Sequence, residues 1–316
     1  MALQTYQDFL NENELVEPCL IEPGVLPFQG KLLLYGYPEG GKSMAVLQLA
    51  FCVATGKPWF GVYEVKQGLA VYVQCEIGRG QFRNRVRTMA QNFPEASPEQ
   101  VRLLSSLTIK THPTSHEWAE LTDEVVRLRP TLLILDPQFK LLWGDENSAQ
   151  DLQQLYDALD RLIAASGCSI VLVSHPRKSR HDEGGQVVDL GYQDVKGSMR
   201  QVEWPDAVLR MSRTQSGGAL RFEKVRADEH PETLQLKYDP ATLMHYADNK
   251  VAAADKVVLG MLENGGKPRA DVLSELIRQG FSESTAKRAL ARLEADNILA
   301  VKPMDGTRKL LERRYK

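Results

Sequence analysis

The chain has only four cysteines in 316 residues, and none stands in a C-x-x-C pair. Cys19, Cys52, Cys75 and Cys168 are scattered, which speaks against a disulfide framework or a thiolate zinc site and for reduced packing thiols. Long hydrophobic runs are also missing. Apolar runs such as Leu132 to Leu135 and Ser169 to Val173 fall far short of a bilayer's thickness. The segment Met1 to Asn13 is polar and acidic and has no apolar signal core. Together these absences give the expectation of a cytoplasmic protein without a membrane partner. There is no internal repeat and no low-complexity tract. Nor does one sign of charge dominate, since 39 Lys and Arg face 41 Asp and Glu for a net charge of −2. The balance shifts along the chain. From Val251 to Lys316 there are 13 Lys and Arg against 9 Asp and Glu, about +4, on a body of about −6. A basic segment appended to an acidic body fits a nucleic-acid-binding module, and it also fits a solvated helical surface.

What the chain does have is Gly36-Tyr37-Pro38-Glu39-Gly40-Gly41-Lys42-Ser43, the pattern G-x-x-x-x-G-K-[ST] of a phosphate-binding P-loop. The apolar run Lys31 to Tyr35 before it predicts a buried strand. After it, Ser43 to Ala54 carries Met44, Leu47, Ala50, Phe51 and Ala54 at helical spacing. A loop of this kind leaves backbone N–H groups unpaired at a helix N-terminus, where they and the helix dipole hold a polyphosphate. Gly36, Glu39, Gly40, Gly41, Lys42, Ser43 and Met44 are therefore the candidate nucleotide-binding residues. Lys42 would reach the terminal phosphates, and the Ser43 hydroxyl would ligate Mg²⁺. Glu39 adds a negative charge beside a phosphate site.

Strand-like and helix-like stretches then alternate. A strand at Leu69–Cys75 precedes a charged helix at Arg79–Ala90, and Arg102–Lys110 could supply another strand. A helix at Glu117–Leu128 ends at Pro130. The strand Leu132–Asp136, a helix at Ser148–Ser166 and the strand Cys168–Ser174 follow. This order predicts a doubly wound, mainly parallel α/β sheet with helices on both faces. Three further strands, at Ala207–Met211, Leu220–Val225 and Thr233–Tyr238, have no helices between them and should extend the sheet in antiparallel fashion. The polar stretch Pro176 to Gly197 reads as a long functional or disordered loop. Residues 248–253 read as a linker between a core of residues 1–247 and a domain of residues 254–316.

Carboxylates close two of the strands. Asp136 ends a four-residue apolar run, where it can hold Mg²⁺ beside the P-loop together with Ser43. Glu76 ends the run Ala70 to Cys75 and can orient or deprotonate a water attacking the terminal phosphate. His175, after Ser174, can sense that phosphate and link its loss to movement of the following loop. Arg83, Arg85 and Arg87 recur at a spacing of two, which spreads them around a helix and reads as solvated charge. Trp59, Trp118 and Trp143 read as packing residues.

With these motifs the chain resembles the RecA-like ATPases, in the branch of RepA-type plasmid and phage helicases related to DnaB. The resemblance spans about Pro18 to Tyr238. It rests on the P-loop, the lead-in Leu20 to Pro27, Glu76, and Asp136-Pro137 followed by Gly144-Asp145-Glu146-Asn147. It also rests on Ser174-His175-Pro176-Arg177-Lys178, on Lys196-Gly197-Ser198, on Trp204 to Leu209, and on Lys224-Val225-Arg226. It implies a RecA-like fold, ATP and Mg²⁺ as cofactors, and a hexameric ring or filament of identical subunits. Lys224 and Arg226 would then reach a neighbouring subunit's ATP site, a placement in which a cation is worth roughly 10³–10⁵ in rate. Single-stranded DNA would pass through the ATPase core, with contacts between Arg177 and Lys196. No separate DnaB-like N-terminal domain is expected before that core.

The last domain reads as a helix at Ala254–Glu263 ended by Gly265-Gly266, a second at Arg269–Arg278 ended by Gly280, and a third capped by Ser282. A hairpin from Ile298 to Lys302 and from Arg308 to Leu311, turning at Asp305-Gly306, completes what resembles a winged helix-turn-helix. Its third helix exposes Ser284, Thr285, Lys287, Arg288 and Arg292 and could enter duplex DNA or meet a protein. Two functions remain open from sequence: an oligomeric DNA helicase or translocase in replication or recombination of a mobile element, and a nucleotide-switched loader, mediator or regulator that separates no strands.

Overall fold

Short runs that are apolar at every position are buried on both faces, and they form the centre of one sheet. The computed structural model describes residues 4–11, 19–175, 200–214, 217–226, 231–248, 250–263, 265–281, 283–295, 298–303 and 309–314. Within them the chain divides into two compact units, Met1–Ala247 and Asp248–Lys316.

In the first unit a short helix α1 (Tyr6–Asn11) precedes a two-stranded hairpin, β1 (Cys19–Ile21) and β2 (Leu26–Pro27). Among the described residues the main sheet then has nine strands: β3 (Lys31–Tyr35), β4 (Ala70–Gln74), β5 (Val101–Ser105), β6 (Leu132–Asp136), β7 (Ser169–Ser174), β8 (Ala207–Thr214), β9 (Gly217–Lys224), β10 (Leu234–Asp239) and β11 (Met244–Ala247). Their order is β11-β10-β9-β8-β3-β7-β6-β4-β5. The six strands from β8 to β5 run parallel, and β9, β10 and β11 continue antiparallel. The strand at Met244–Ala247 has no counterpart in the sequence reading, because four residues are too few to show a period.

Alternation along β3 and β6 divides the core in two. Leu32, Leu34, Leu132 and Ile134 face α2 (Lys42–Thr55) and α3 (Arg79–Ala90), while Leu33, Tyr35, Leu133 and Leu135 face α4 (His116–Leu128) and α6 (Ala149–Ser166). Ser115 and Ser148 cap α4 and α6 by accepting from the N–H groups of Trp118 and Asp151. Two one-turn helices, α5 (Gln138–Leu141) and α7 (Arg200–Glu203), follow β6 and precede β8.

The second unit has α8 (Lys250–Met261), α9 (Arg269–Arg278) and α10 (Glu283–Ala295), with a small sheet of β12 (Lys267–Pro268), β14 (Lys309–Arg313) and β13 (Leu299–Pro303) in that order. Val258, Leu276, Leu290 and Leu311 are among the residues of its own core. Among the described residues no helix is long and apolar enough to cross a membrane.

Four readings need correction. Thr285, expected to be exposed on the third helix of the last domain, is buried in α10. Residues 250–253, expected as linker, are the first turn of α8. The strand expected over Arg102–Lys110 stops at Ser105; beyond it Ile109 is buried from a loop. Trp143 is not packed inside but 55% exposed, its ring lying 4.6 Å from that of His112. The long loop from Pro176 to Gly197, the segment Lys196-Gly197-Ser198, the cap Ser282 and the turn Asp305-Gly306 lie outside the described residues.

Candidate active site

The P-loop joins β3 to α2 at the C-terminal edge of the parallel strands, where a doubly wound sheet opens its crevice. Gly41 is the N-cap of α2 and offers no side chain to its first turn, so the N–H groups there remain available to an anion. Its φ of 85° is left-handed, and a Cβ there would lie 2.6 Å from Nε2 of His245. Both constraints require glycine. Gly36 is required for a different reason, since a Cβ on it would collide with the Met211 carbonyl oxygen.

Lys42 is buried, and its Nζ donates to the carbonyl oxygens of Gly36 (2.6 Å) and Tyr37 (2.9 Å). Burial lowers its pKa to about 8, against the raising influence of Asp136 and then Glu76. Asp136, at the tip of β6, is 2% exposed and accepts a hydrogen bond from the Tyr72 phenol at 2.5 Å. Burial raises its carboxyl above the usual range, while hydrogen bonds from Tyr72 and Ser43 pull it back. Tyr72 itself is held well above a normal phenol, by burial and by the neighbouring Asp136.

A pocket of about 540 Å³ opens over the loop. Of the residues expected from sequence, Glu39, Gly40, Gly41, Lys42, Ser43, Met44, Glu76, Asp136 and His175 line it. Three do not. Gly36 sits behind it, holding Lys42 through its carbonyl. Lys224 donates to the carbonyls of Val202 (2.9 Å), Glu203 (3.1 Å) and Pro205 (2.6 Å), closing the end of α7 of its own chain. Arg226 is 64% exposed at its side chain and pairs with Asp206 at 3.0 Å.

The strand tip at Ser174-His175 connects these two places. His175 lies 5.6 Å from the Phe139 ring, and the Ser174 hydroxyl donates to Oε1 of Gln201, on the helix whose last carbonyls hold Lys224.

The structure also adds residues to the pocket. Tyr238, Leu243 and His245 come from the β10–β11 hairpin, and Arg85 from α3. The Gln48 amide donates to the His245 carbonyl and accepts from its N–H, both at 2.9 Å, tying β11 to the helix that follows the P-loop. His245 is 3% exposed, and burial lowers its pKa to about 4. No sequence signal marks it. Arg85 did leave one: Phe82, Arg85 and Met89 stand three and four residues apart, so Arg85 shares a helix face with two buried residues.

The oxygen donors suit a hard cation that retains waters and shares the nucleotide's phosphates. Ser43 and Asp136 line the same pocket, with the Glu76 carboxylate close enough to influence Asp136. Among the described residues no cluster of three His, Cys, Asp or Glu forms an all-protein metal cage.

Comparison with known proteins gives a family and a fold. The chain matches the family described as AAA domain over residues 5–181. It is similar to the solved structure of a KaiC-like protein from the hyperthermophilic archaeon Pyrococcus horikoshii OT3, at 13% identity and a TM-score of 0.49, covering 72% of this chain and 93% of that one. It is also similar to the ATPase domain of G40P, at 14% identity and a TM-score of 0.51, covering 69% of this chain and 84% of that one. The second likeness is one of fold, a mainly parallel RecA-like α/β sheet.

Proposed function

The chain belongs to the AAA domain family of P-loop ATPases, and from that premise we propose that it is an oligomeric, Mg-ATP-dependent DNA translocase or helicase. One observation carries the hydrolytic part: Lys42, Ser43, Glu76, Asp136 and His175 line one pocket at the N-terminus of α2. Lys42 and the loop's N–H groups hold the triphosphate. Ser43 and Asp136 would hold Mg²⁺, which when bound neutralises charge on the phosphates. Glu76 orients the attacking water and takes its proton. His175 registers the terminal phosphate and passes its loss toward Gln201 through the adjoining Ser174. Tyr238 and Leu243 offer a wall for the base.

The motor part is supported by the resemblance of Lys224-Val225-Arg226 to a pair that serves a neighbouring subunit, by the exposure of Arg226, and by the basic C-terminal unit. We read that unit, residues 254–316 with the approach to it from 248, as a winged helix-turn-helix able to contact duplex DNA. The action would belong to replication or recombination of a mobile element. A second reading draws on Lys224, which three carbonyls of its own chain already satisfy. A chain whose trans cation is so engaged would hydrolyse slowly and act as a nucleotide-switched loader or regulator.

Steady-state ATP hydrolysis across protein concentration, with and without single-stranded DNA and with Lys42→Ala as blank, tests both. Cooperative concentration dependence with strong stimulation by DNA is the outcome expected of a motor. Hydrolysis indifferent to DNA would sink the motor and favour the switch.

A further inference from the structure

We infer that Arg85 is a catalytic residue, the cation that this chain supplies in cis to the triphosphate bound over its own P-loop. The inference rests on the hydrolytic reading above and adds a residue to it.

Arg85 lines the same pocket as Lys42, Glu76 and Asp136. It reaches the pocket because α3 packs Phe82 and Met89 into the core, and Arg85 falls between them on that face. Arg83 and Arg87 point to solvent, whereas Arg85 is half-buried. Among the described residues Arg85 has no carboxylate partner. Arg127, Arg269 and Arg278 pair with Glu124, Glu294 and Glu275, and Arg226 pairs with Asp206. A half-buried guanidinium without an anion carries an uncompensated desolvation cost, which a phosphate entering the pocket would relieve.

Its electrostatic influence reaches the Tyr72 phenol, which donates to Asp136, and the Tyr238 phenol at the pocket wall. Arg85 therefore stands near the reacting end as well as the hairpin. Its helix is fixed at both ends. It starts three residues after Glu76, and just beyond its last turn the Asn92 amide donates to the Thr242 carbonyl at 3.1 Å. The backbone that carries the cation is thereby tied to the hairpin, which limits the reorganisation needed when charge develops. Lys42, by contrast, is held by two loop carbonyls, and Lys224 by three carbonyls outside the pocket.

In the reaction, the water oxygen bonds to the terminal phosphorus as the bond from that phosphorus to the β–γ bridging oxygen breaks. The electron pair leaves with the diphosphate, and the water's proton passes to Glu76 and then to solvent. Arg85 neutralises the negative charge that gathers on the transferred group and the bridging oxygen.

The test measures kcat and KM for ATP in wild type, Arg85→Ala, Arg85→Lys and the exposed control Arg83→Ala, with binding of a fluorescent ATP analogue alongside. Arg85→Ala is expected to lower kcat by roughly 10²–10³-fold, the scale for losing a preorganised charge-stabilising group. Analogue binding should change by less than about tenfold, and Arg83→Ala should match wild type. Millimolar guanidinium ion should restore part of the lost kcat to Arg85→Ala but none to Lys42→Ala. Because Arg85 acts in cis, excess Glu76→Gln subunits, which retain Arg85, should not rescue Arg85→Ala.

A kcat within a few-fold of wild type, or a loss confined to KM, would overturn the assignment. So would a loss untouched by guanidinium ion, which marks a structural role, or rescue by Glu76→Gln subunits, which marks action in trans. Wild type no faster than Lys42→Ala would instead overturn the hydrolytic reading itself.

Discussion

Replacing His245 by leucine should remove a pH-dependent part of the stability of the first unit. The ring is 3% exposed and lies 4.7 Å from Tyr238 and 6.2 Å from Phe60, with Nε2 against Gly41. Burial disfavours the imidazolium and takes the pKa to about 4, while in the unfolded chain it returns to about 6.5. A folded pKa below the unfolded one means that the unfolded state binds the proton first. Stability from neutral His245 is therefore complete above about pH 6.5 and is lost as pH falls toward 4. Linkage over those two values gives a loss of about 2 kcal/mol between pH 7 and pH 5, and about 3 kcal/mol by pH 4. All four tryptophans, Trp59, Trp118, Trp143 and Trp204, belong to the first unit, so tryptophan fluorescence during urea unfolding reports that unit alone. The other charged groups of the pocket, including Lys42, Glu39, Glu76, Asp136 and Arg85, are common to both proteins. The difference between them isolates the histidine. Wild type should lose about 2 kcal/mol more than His245→Leu on going from pH 7 to pH 5. Equal losses would refute the placement of a neutral buried imidazole there.

Gly41→Ala puts a Cβ at φ 85° and 2.6 Å from the His245 ring, so stability should fall by about 1–3 kcal/mol and analogue binding should weaken; thermal unfolding and a binding titration would show both. Asp136→Asn leaves the Tyr72 phenol without its anionic acceptor and removes a proposed metal contact. A Mg²⁺ titration of ATP hydrolysis should require higher Mg²⁺ for half-maximal rate, and an unchanged requirement would remove Asp136 from the metal's surroundings. Tyr238→Ala should weaken ATP about 5–100-fold, the scale of losing one base–aromatic stack, and leave competition by inorganic tripolyphosphate unchanged. Equal losses for the two ligands would mean that Tyr238 does not meet the base.

Much of the fold was legible because burial on both faces leaves a local signature. Leu132-Leu133-Ile134-Leu135 and the run at Ile170–Val173 have no polar side to show, and both became inner strands. Helix limits were legible where a side chain caps the first turn, as Ser148 does for α6. The P-loop residues could be read because phosphate binding constrains backbone and side chain within eight consecutive positions. His245 obeys no such rule. It belongs to the site through the pairing of β11 with β10 and through the two hydrogen bonds of Gln48, 197 residues away in sequence. Arg85 was obscured differently. The spacing of Arg83, Arg85 and Arg87 drew attention to the arginines themselves, whereas the informative period was that of Phe82 and Met89 around one of them. Trp143 shows the converse limit: residue type argued for burial, but its position after a one-turn helix leaves it at the surface.

The K-x-R pair shows why a sequence motif and a structural role have to be separated. Lys224 ends β9 and Arg226 stands two residues beyond it, and the structure gives them different partners. Lys224 closes α7 through three carbonyls, and burial lowers its pKa, an effect its cationic neighbour Arg226 adds to. Releasing it would leave those carbonyls to find other donors, a cost that a partially buried helix end does not recover from solvent alone. Arg226 is exposed, and its partner Asp206 also accepts from the Lys31 N–H at the start of β3. An exposed ion pair contributes little, so Arg226 can exchange Asp206 for another anion at small cost. The two cations are therefore not equivalent candidates for a neighbour's phosphate. Lys224 fixes the geometry from which Arg226 extends, and α7 connects that geometry through Gln201 to Ser174 at the pocket's edge. The strand tip at the pocket's edge and Lys224, two residues before the exposed arginine, thus share one short helix, the physical link that the proposed coupling between successive sites in an assembly would need.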